Sequence, residues 1–85
     1  MTTIVDVQVA IAVIANELSV EASAVSLDAR FVEDLGADEV KLTDMFRALE
    51  EAFDTTIDGA DAERLTTLSA VLRYLDRTIV TRTAI

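Results

Sequence analysis

The strongest constraint on the fold is an apolar repeat in the middle of the chain. Within residues 39–53, four large apolar residues recur at spacings of four, three and four: Leu42, Phe46, Leu49 and Phe53. This spacing places the four side chains on one face of an α-helix, whose period is 3.6 residues. Asp38 precedes the segment, and a carboxylate there can accept hydrogen bonds from first-turn amides. We therefore predict a helix over residues 39–53, with this face in the core or lining a pocket.

Helical spacing also occurs near both ends of the chain. In residues 3–18 it gives an apolar face made of Val7, Ile11, Ile14 and Leu18. In residues 67–79 it gives another, made of Leu68, Val71, Leu72, Leu75 and Ile79. Thr66 is placed to cap the latter segment, and residues 61–65 could form a short helix after Gly59. The pattern thus predicts three long helices and a short one.

A stretch of nearly twenty residues, 19–37, separates the first two helical segments. It contains scattered apolar anchors, namely Val20, Val25, Leu27, Phe31 and Leu35. A long ordered loop in a small domain is usually functional or packed by its own apolar residues. The chain has no proline and two glycines, which suits helices joined by few tight turns. We predict an all-α fold, a small four-helix bundle that residues 1–85 form as a single domain.

The back of the first helical segment is unusually apolar. Opposite the predicted core face lie small and β-branched residues instead of charges: Val5, Val9, Ala12 and Val13. A contiguous apolar stripe often marks a partner or self-association site, so we expect a contact surface here, with a homodimer as one outcome. Scattered exposed valines are also ordinary in monomers, and that interpretation stays open.

The chain is strongly acidic, and its charge is unevenly distributed. The net charge is −9, and residues 1–63 hold fifteen acidic side chains against three basic ones. Residues 64–85 instead hold four arginines and one acidic residue, with Arg73 and Arg77 one helical turn apart. An acidic field repels nucleic acid and attracts proteins with basic surfaces, although plain solubility explains it equally well.

No segment of the sequence suits a membrane span or an export signal. The longest apolar run, Val9–Ala15, has seven residues, whereas a spanning helix needs about 20. Residues 1–15 lack the basic start of a signal peptide. We expect a cytoplasmic protein.

Missing residue types disfavour several functions. The chain has no cysteine and no histidine, so it lacks the thiolate nucleophile and the commonest general base and metal ligand. Asp54, Asp58 and Gly59 fit part of a calcium loop, but Leu65 stands where the closing bidentate glutamate belongs. We therefore assign no catalytic residue and no metal site, and we do not expect an enzyme.

Three short motifs in order resemble the acyl carrier protein family. They are FVEDLGAD at residues 31–38, ALEEAFDTTI at 48–57 and LTTLSAVLRYL at 65–75. The likeness runs without a gap from Ile14 to about Leu75. It implies a right-turning four-helix bundle with a long first loop and a short third helix. In the family the loop ends in GADSL, and the serine carries 4'-phosphopantetheine, whose thiol holds acyl groups.

This chain departs from the family at the attachment position. The DSL of the family reads DEV here, so Glu39 stands where the resemblance places the serine. A carboxylate is no substitute for the hydroxyl that receives the arm, and we therefore expect no phosphopantetheine cofactor. Thr43 is the nearest hydroxyl, one turn further on. Glu39 either mimics the phosphate charge or fills a site that lost its function.

The resemblance also implies a partner-recognition helix. Its candidate partner-binding residues are Asp38, Glu39, Lys41, Asp44, Arg47, Glu50 and Glu51. Relative to the family pattern the helix gains two bases, which would alter partner choice. We expect an acyl-carrier-protein-like domain that binds proteins, among them acyl-chain-processing enzymes of fatty acid, polyketide or lipid assembly. The alternative is a working carrier whose arm is attached at an atypical residue. The resemblance further predicts that Phe46 partly fills the space where the family holds an acyl chain.

Overall fold

A computed structural model describes residues 5–83, with side chains from Val5 to Thr78. Its helices are α1 (Val7–Leu18), α2 (Glu39–Phe53), α3 (Gly59–Ala62) and α4 (Leu68–Thr83), and a 3₁₀ turn (Ala22–Ala24) lies in the long loop. The predicted all-α bundle of three long helices and a short one is therefore confirmed over the described range. The bounds predicted for α2 are also confirmed.

The start of α1 is set by Asp6. Its backbone is extended, and its carboxylate accepts hydrogen bonds from the amides of Gln8 at 2.9 Å and Val9 at 3.4 Å. This N-cap satisfies amides that have no partner within the helix. The helix consequently begins at Val7, later than the predicted start at residue 3. It ends at Leu18, where Ser19 turns left-handed with φ 57°.

The predicted apolar stripe on α1 is not continuous. Val5 is only 1% exposed and lies in the core, and Val13 is half buried against it. Val9 is 39% exposed, and Ala12 is exposed as well. Val5 precedes the helix, so helical spacing could not place it, and α1 contacts α2, α4 and the 3₁₀ turn, which together cover much of its surface. Val5 is therefore wrongly placed in the predicted contact stripe, whereas partner contact through the exposed Val9 and Ala12, with a homodimer as one outcome, stays a prediction.

The long loop is packed by apolar side chains, as the sequence predicts, but not by all of the expected ones. Val25, Phe31 and Leu35 are buried, and Val20 is half buried against the core. Leu27 is 55% exposed, so its prediction as an anchor is wrong. The backbone provides the contact at this point, because the carbonyl of Leu27 accepts a hydrogen bond from the amide of Ser69.

The loop is also joined to the start of α4 through the main chain. Arg30 and Thr67 form an isolated antiparallel bridge, and the Phe31 amide donates to the Thr66 carbonyl at 3.0 Å. The Thr67 hydroxyl accepts from the Ala70 amide at 3.2 Å, so Thr67, not Thr66, caps α4. The long loop thereby runs alongside the N-terminal end of α4.

The last two helices differ from prediction at their ends. α3 covers Gly59–Ala62 instead of residues 61–65, because the Asp58 carboxylate caps it by accepting from the Ala60 amide at 2.8 Å. α4 continues to Thr83, four residues past its predicted end. Its predicted face is buried at Leu68, Val71 and Leu75 and half buried at Leu72, while the side chain of Ile79 lies outside the described part.

Candidate functional site

The N-terminus of α2 is built by the end of the long loop. Gly36 has φ +72°, a left-handed conformation that glycine adopts without a side-chain penalty. The next amide, that of Ala37, donates to the Phe31 carbonyl at 2.9 Å and closes the turn. Asp38 then accepts a hydrogen bond from the Lys41 amide at 2.8 Å as the N-cap. Asp38 therefore has a local structural role, whether or not it also contacts a partner.

Glu39 is the first residue of α2, and its residue surface is exposed. It lies at the edge of a hollow of about 360 Å³ between α2 and the α3 region. The hollow is lined by residues of both: Glu39, Leu42, Thr43, Phe46, Arg47, Glu50, Ile57, Gly59, Ala62 and Glu63. A carboxylate in the first turn also lies at the positive end of the helix dipole, where negative charge is favoured.

The face predicted for the core of α2 is divided between core and hollow. Leu49 is fully buried, but Leu42, Phe46 and Phe53 are only half buried. The second fully buried side chain of α2 is Met45, four residues before Leu49. The core-facing line of α2 is therefore rotated toward Met45, and Leu42 and Phe46 line the hollow instead. Sequence spacing predicts which residues share a face of the helix. It does not predict which residues of that face pack against the neighbouring helices.

Phe46 does not close this space. It forms part of the wall of the 360 Å³ hollow and also lines a second hollow of about 270 Å³, together with Phe31, Leu42 and Leu65. A half-buried ring between two hollows narrows the region without filling it. Phe46 is half buried, and the prediction that it partly fills the space where the family holds an acyl chain stays a prediction.

Thr43 is the hydroxyl residue closest in sequence to Glu39 on α2. Its Oγ1 donates a hydrogen bond to the Glu39 carbonyl at 2.9 Å, one helical turn back. This is the usual arrangement of a threonine inside a helix, and it uses the hydroxyl proton for the backbone. Thr43 lines the same hollow as Glu39, but it lies in the second turn of α2, not in the first.

The remaining candidate partner-binding residues fall into two groups. Asp44, Arg47 and Glu51 are exposed, and Lys41 is half buried. Glu50 differs because its carboxylate accepts a hydrogen bond from the Ile57 amide at 2.7 Å, a part-buried contact across the α2–α3 connection. Glu50 therefore has a structural partner within the domain, which its place in the sequence pattern did not indicate.

The acidic residues of the partial calcium pattern serve helix ends. Asp54 ends α2 with a left-handed φ of 50°, and Asp58 caps α3. In the described part of the chain, no group of three or more acidic residues is arranged to hold a metal ion. These two aspartates thus have clear roles in the turn between α2 and α3.

A polar network that local sequence patterns do not indicate connects α3 to α4. The Tyr74 hydroxyl donates to Asp61 at 3.0 Å and accepts from the Asp58 amide at 3.3 Å. Partial burial raises the pKa of Tyr74 above its usual 10.0. Arg64 donates to the other oxygen of Asp61 at 2.7 Å. These contacts hold the short α3 in place against α4.

A second polar cluster stabilises the long loop. Arg30 makes two side-chain hydrogen bonds to Asp34, both at 3.2 Å, and its amide donates to the same carboxylate at 2.9 Å. These hydrogen bonds from Arg30 lower the pKa of Asp34 below its usual value. The pair closes a turn directly before the residues that lead to α2.

A helical bundle with a long, ordered first loop leading into the N-terminus of α2 defines a small carrier-type domain, and comparison with known proteins agrees. Residues 8–75 match the family model for the phosphopantetheine attachment site. The chain is 41% identical to an acyl carrier protein of Campylobacter jejuni subsp. doylei, over 89% of this chain and 95% of that one. It is 39% identical to an acyl carrier protein of Campylobacter fetus subsp. fetus, over 75% of this chain and 83% of that one. The chain belongs to the acyl carrier protein family.

Among the described helices, none combines the length and the apolar character that crossing a membrane requires.

Proposed function

We propose that this chain is an acyl carrier protein family member that carries no phosphopantetheine arm and acts by binding other proteins through α2. The observation that carries this proposal is the identity and place of Glu39. It is the first residue of α2, directly after the N-cap Asp38 and at the edge of the hollow between α2 and α3. The family resemblance puts the arm-bearing serine at this position.

The chemistry of residue 39 supports the absence of an arm. Attachment of phosphopantetheine forms a phosphodiester with a hydroxyl, and a glutamate side chain has none to offer. Thr43 is a poor substitute because it lies one turn into the helix and its hydroxyl already donates to the Glu39 carbonyl. A transferase that binds at the first turn of α2 would have no hydroxyl there to accept the arm.

Glu39 still supplies negative charge where an attached phosphate would stand in the family. The dipole of α2 favours a carboxylate in the first turn by roughly 0.3 to 1 kcal/mol. A partner that recognises negative charge at this end of the helix would therefore contact a permanent carboxylate. This supports a domain that resembles the modified state without the ability to transfer acyl groups.

The exposed surface of α2 supplies the remaining chemistry. Val40 is 69% exposed next to Glu39, and Asp44 and Glu51 add acidic groups further along the helix. Arg47 adds an exposed base between them. We infer a partner with a predominantly basic surface, and acyl-chain-processing enzymes of fatty acid, polyketide or lipid assembly are the first to test.

Intact-mass spectrometry after incubation with coenzyme A and a phosphopantetheinyl transferase tests the proposal. A serine-bearing acyl carrier protein serves as the positive control, and the native chain should show no added mass. A stoichiometric adduct on the native chain would instead establish a working carrier with an atypical attachment residue. Thr43→Val in that case would show whether Thr43 is the acceptor.

A further inference from the structure

A second charged surface lies on α4 and the segment that follows α3, and the proposed function does not use it. It surrounds a hollow of about 330 Å³, which shares no lining residue with the hollow below Glu39. Three arginines line it: Arg64, Arg73 and Arg77. All three are exposed, and they fall in residues 64–85, which hold four arginines and one acidic residue.

The positive charge of this surface is only partly neutralised within the domain. Asp61 is the one acidic residue that lines the hollow, and its two oxygens accept from Arg64 at 2.7 Å and from Tyr74 at 3.0 Å. Arg73 and Arg77 form no ion pair with any residue whose side chain the structure describes. Within the described part of the chain, these two guanidinium groups therefore have no anionic partner.

The same hollow also has an apolar component. Leu65 is buried, and Ala70 and Tyr74 are half buried at its lining. A carboxylate matches the planar fork of a guanidinium group, while an aromatic or aliphatic side chain matches the apolar component. Such mixed chemistry fits a peptide segment better than a small inorganic ion.

We propose that the hollow lined by Arg64, Arg73 and Arg77 is a docking surface for an acidic segment of a partner protein, in which carboxylates flank an apolar residue. The partner has the opposite charge to the one that α2 would recognise. A long polyanion such as nucleic acid is disfavoured, because the fifteen acidic residues of positions 1–63 would repel its flanking parts. A short acidic segment contacts the arginines without extending across the acidic remainder of the domain.

Fluorescence anisotropy with a labelled synthetic peptide, two glutamates on each side of one phenylalanine, tests the proposal. The native chain should bind this peptide at low ionic strength, and added salt should weaken binding. The double variant Arg73→Glu/Arg77→Glu should bind at least about tenfold more weakly. Both residues are exposed, so far-UV circular dichroism should show an unchanged helical fold.

Lys41→Glu/Arg47→Glu is the matched control, because it changes the net charge equally but on α2. It should retain peptide binding within about twofold, since those side chains do not line this hollow. Equal weakening by both double variants would overturn the proposal, because it would show a response to net charge alone. Absence of peptide binding by the native chain would also overturn it, as would equally tight binding of a single-stranded oligonucleotide.

Amide chemical shifts provide a second test, which does not require the charge-reversed variant to fold. In the native chain, the peptide should move the amide resonances of Arg64, Arg73 and Arg77 more than those of α2. The milder pair Arg73→Gln/Arg77→Gln should reduce these shifts. Shifts concentrated on α2 would place the peptide elsewhere and contradict the assignment.

Discussion

The carboxylate of Glu50 accepts a hydrogen bond from the backbone amide of Ile57 at 2.7 Å. The two residues are seven positions apart, so the contact closes the connection between α2 and α3 around the left-handed Asp54. Ile57 is buried, so the carboxylate of Glu50 provides its amide with a hydrogen-bond acceptor in a part-buried place. The position of α3 beside the hollow depends in part on this bond.

Replacing Glu50 by alanine should destabilise the domain. The change leaves a part-buried amide without its acceptor, which costs about 1 to 3 kcal/mol of unfolding free energy. Urea denaturation followed by circular dichroism measures this loss. Glu51→Ala is the control at an exposed neighbour and should change stability by less than about 0.5 kcal/mol. Equal losses in the two variants would show that the Glu50 bond contributes nothing specific.

Phe46 and Leu49 should respond differently to truncation, although they belong to the same apolar repeat. Leu49 is fully buried, so Leu49→Ala should cost about 2 to 5 kcal/mol. Phe46 is half buried at the hollow, so Phe46→Ala should cost less than the roughly 3 to 5 kcal/mol of a buried ring. Urea denaturation of both variants compares them. A larger loss of stability for Phe46→Ala than for Leu49→Ala would contradict the place of Phe46 at the wall of the hollow.

The Arg30–Asp34 cluster should make the stability of the domain depend on pH. The folded pKa of Asp34 is lowered, so the cluster stabilises the fold above the unfolded pKa and loses this effect as pH falls through the folded pKa. Asp34→Asn should therefore be less stable than the native chain at pH 7, and the difference should shrink as the solution is acidified below the usual carboxyl range. Urea denaturation across this pH series is the measurement.

Asp28→Asn provides a control for the Asp34 variant. It removes an exposed carboxylate of the same loop that makes no hydrogen bond or ion pair with the described residues. Its stability difference from the native chain should stay small and should not follow the acid dependence of Asp34→Asn. A difference for Asp34→Asn that is constant with pH would contradict the role given to the ion pair.

Tyr74 should titrate late and contribute to stability through its hydroxyl. Burial raises its pKa, so ultraviolet titration of this single tyrosine should give a midpoint above 10.0. The stabilisation linked to this shift is present below the unfolded pKa and disappears as pH rises through the folded one. Tyr74→Phe removes the bonds to Asp61 and Asp58 and should cost about 1 kcal/mol at pH 7. An unchanged midpoint and an unchanged stability would both count against the network.

Restoring a hydroxyl at residue 39 should restore modification if the rest of the site is competent. Glu39→Ser should accept the arm from coenzyme A at least in part, as intact mass would show. The native chain and Glu39→Ala should both stay unmodified, which separates the return of a hydroxyl from the loss of a carboxylate. No modification of Glu39→Ser would show that Val40, Lys41 or another change on α2 also blocks the transferase.

The sequence predicted the parts of the fold that local patterns determine. Helix α2 combines a strong N-cap, Asp38, with a regular apolar repeat, and its bounds agree with the structure. Patterns of this kind act over three or four residues and need no knowledge of the neighbours. The choice between Thr66 and Thr67 as the cap of α4 could not be made this way, because the Thr66 carbonyl is engaged by Phe31 from a distant loop.

The errors have a common origin in contacts between distant segments. Val5 is buried because it packs on the core ahead of α1, whereas Leu27 reaches α4 only through its carbonyl group. Glu50 and Tyr74 likewise found partners across connections that spacing does not describe. For the candidate site, the sequence identified Glu39 and its place at the start of α2. It could not identify the hollow, because that depends on where α3 lies.

α3 is a single helical turn that contributes residues to three hollows, including the one of about 270 Å³ that Ala62 lines beside Phe46. Gly59 and Ala62 line the one below Glu39, and Asp61 lines the one beside the arginines. A turn this short has too few internal hydrogen bonds to hold its own position, so its contacts with Glu50, through Ile57, and with Tyr74 determine where it lies. Because α3 borders hollows on different sides, a substitution that loosens either of these contacts should change the shape of more than one of them.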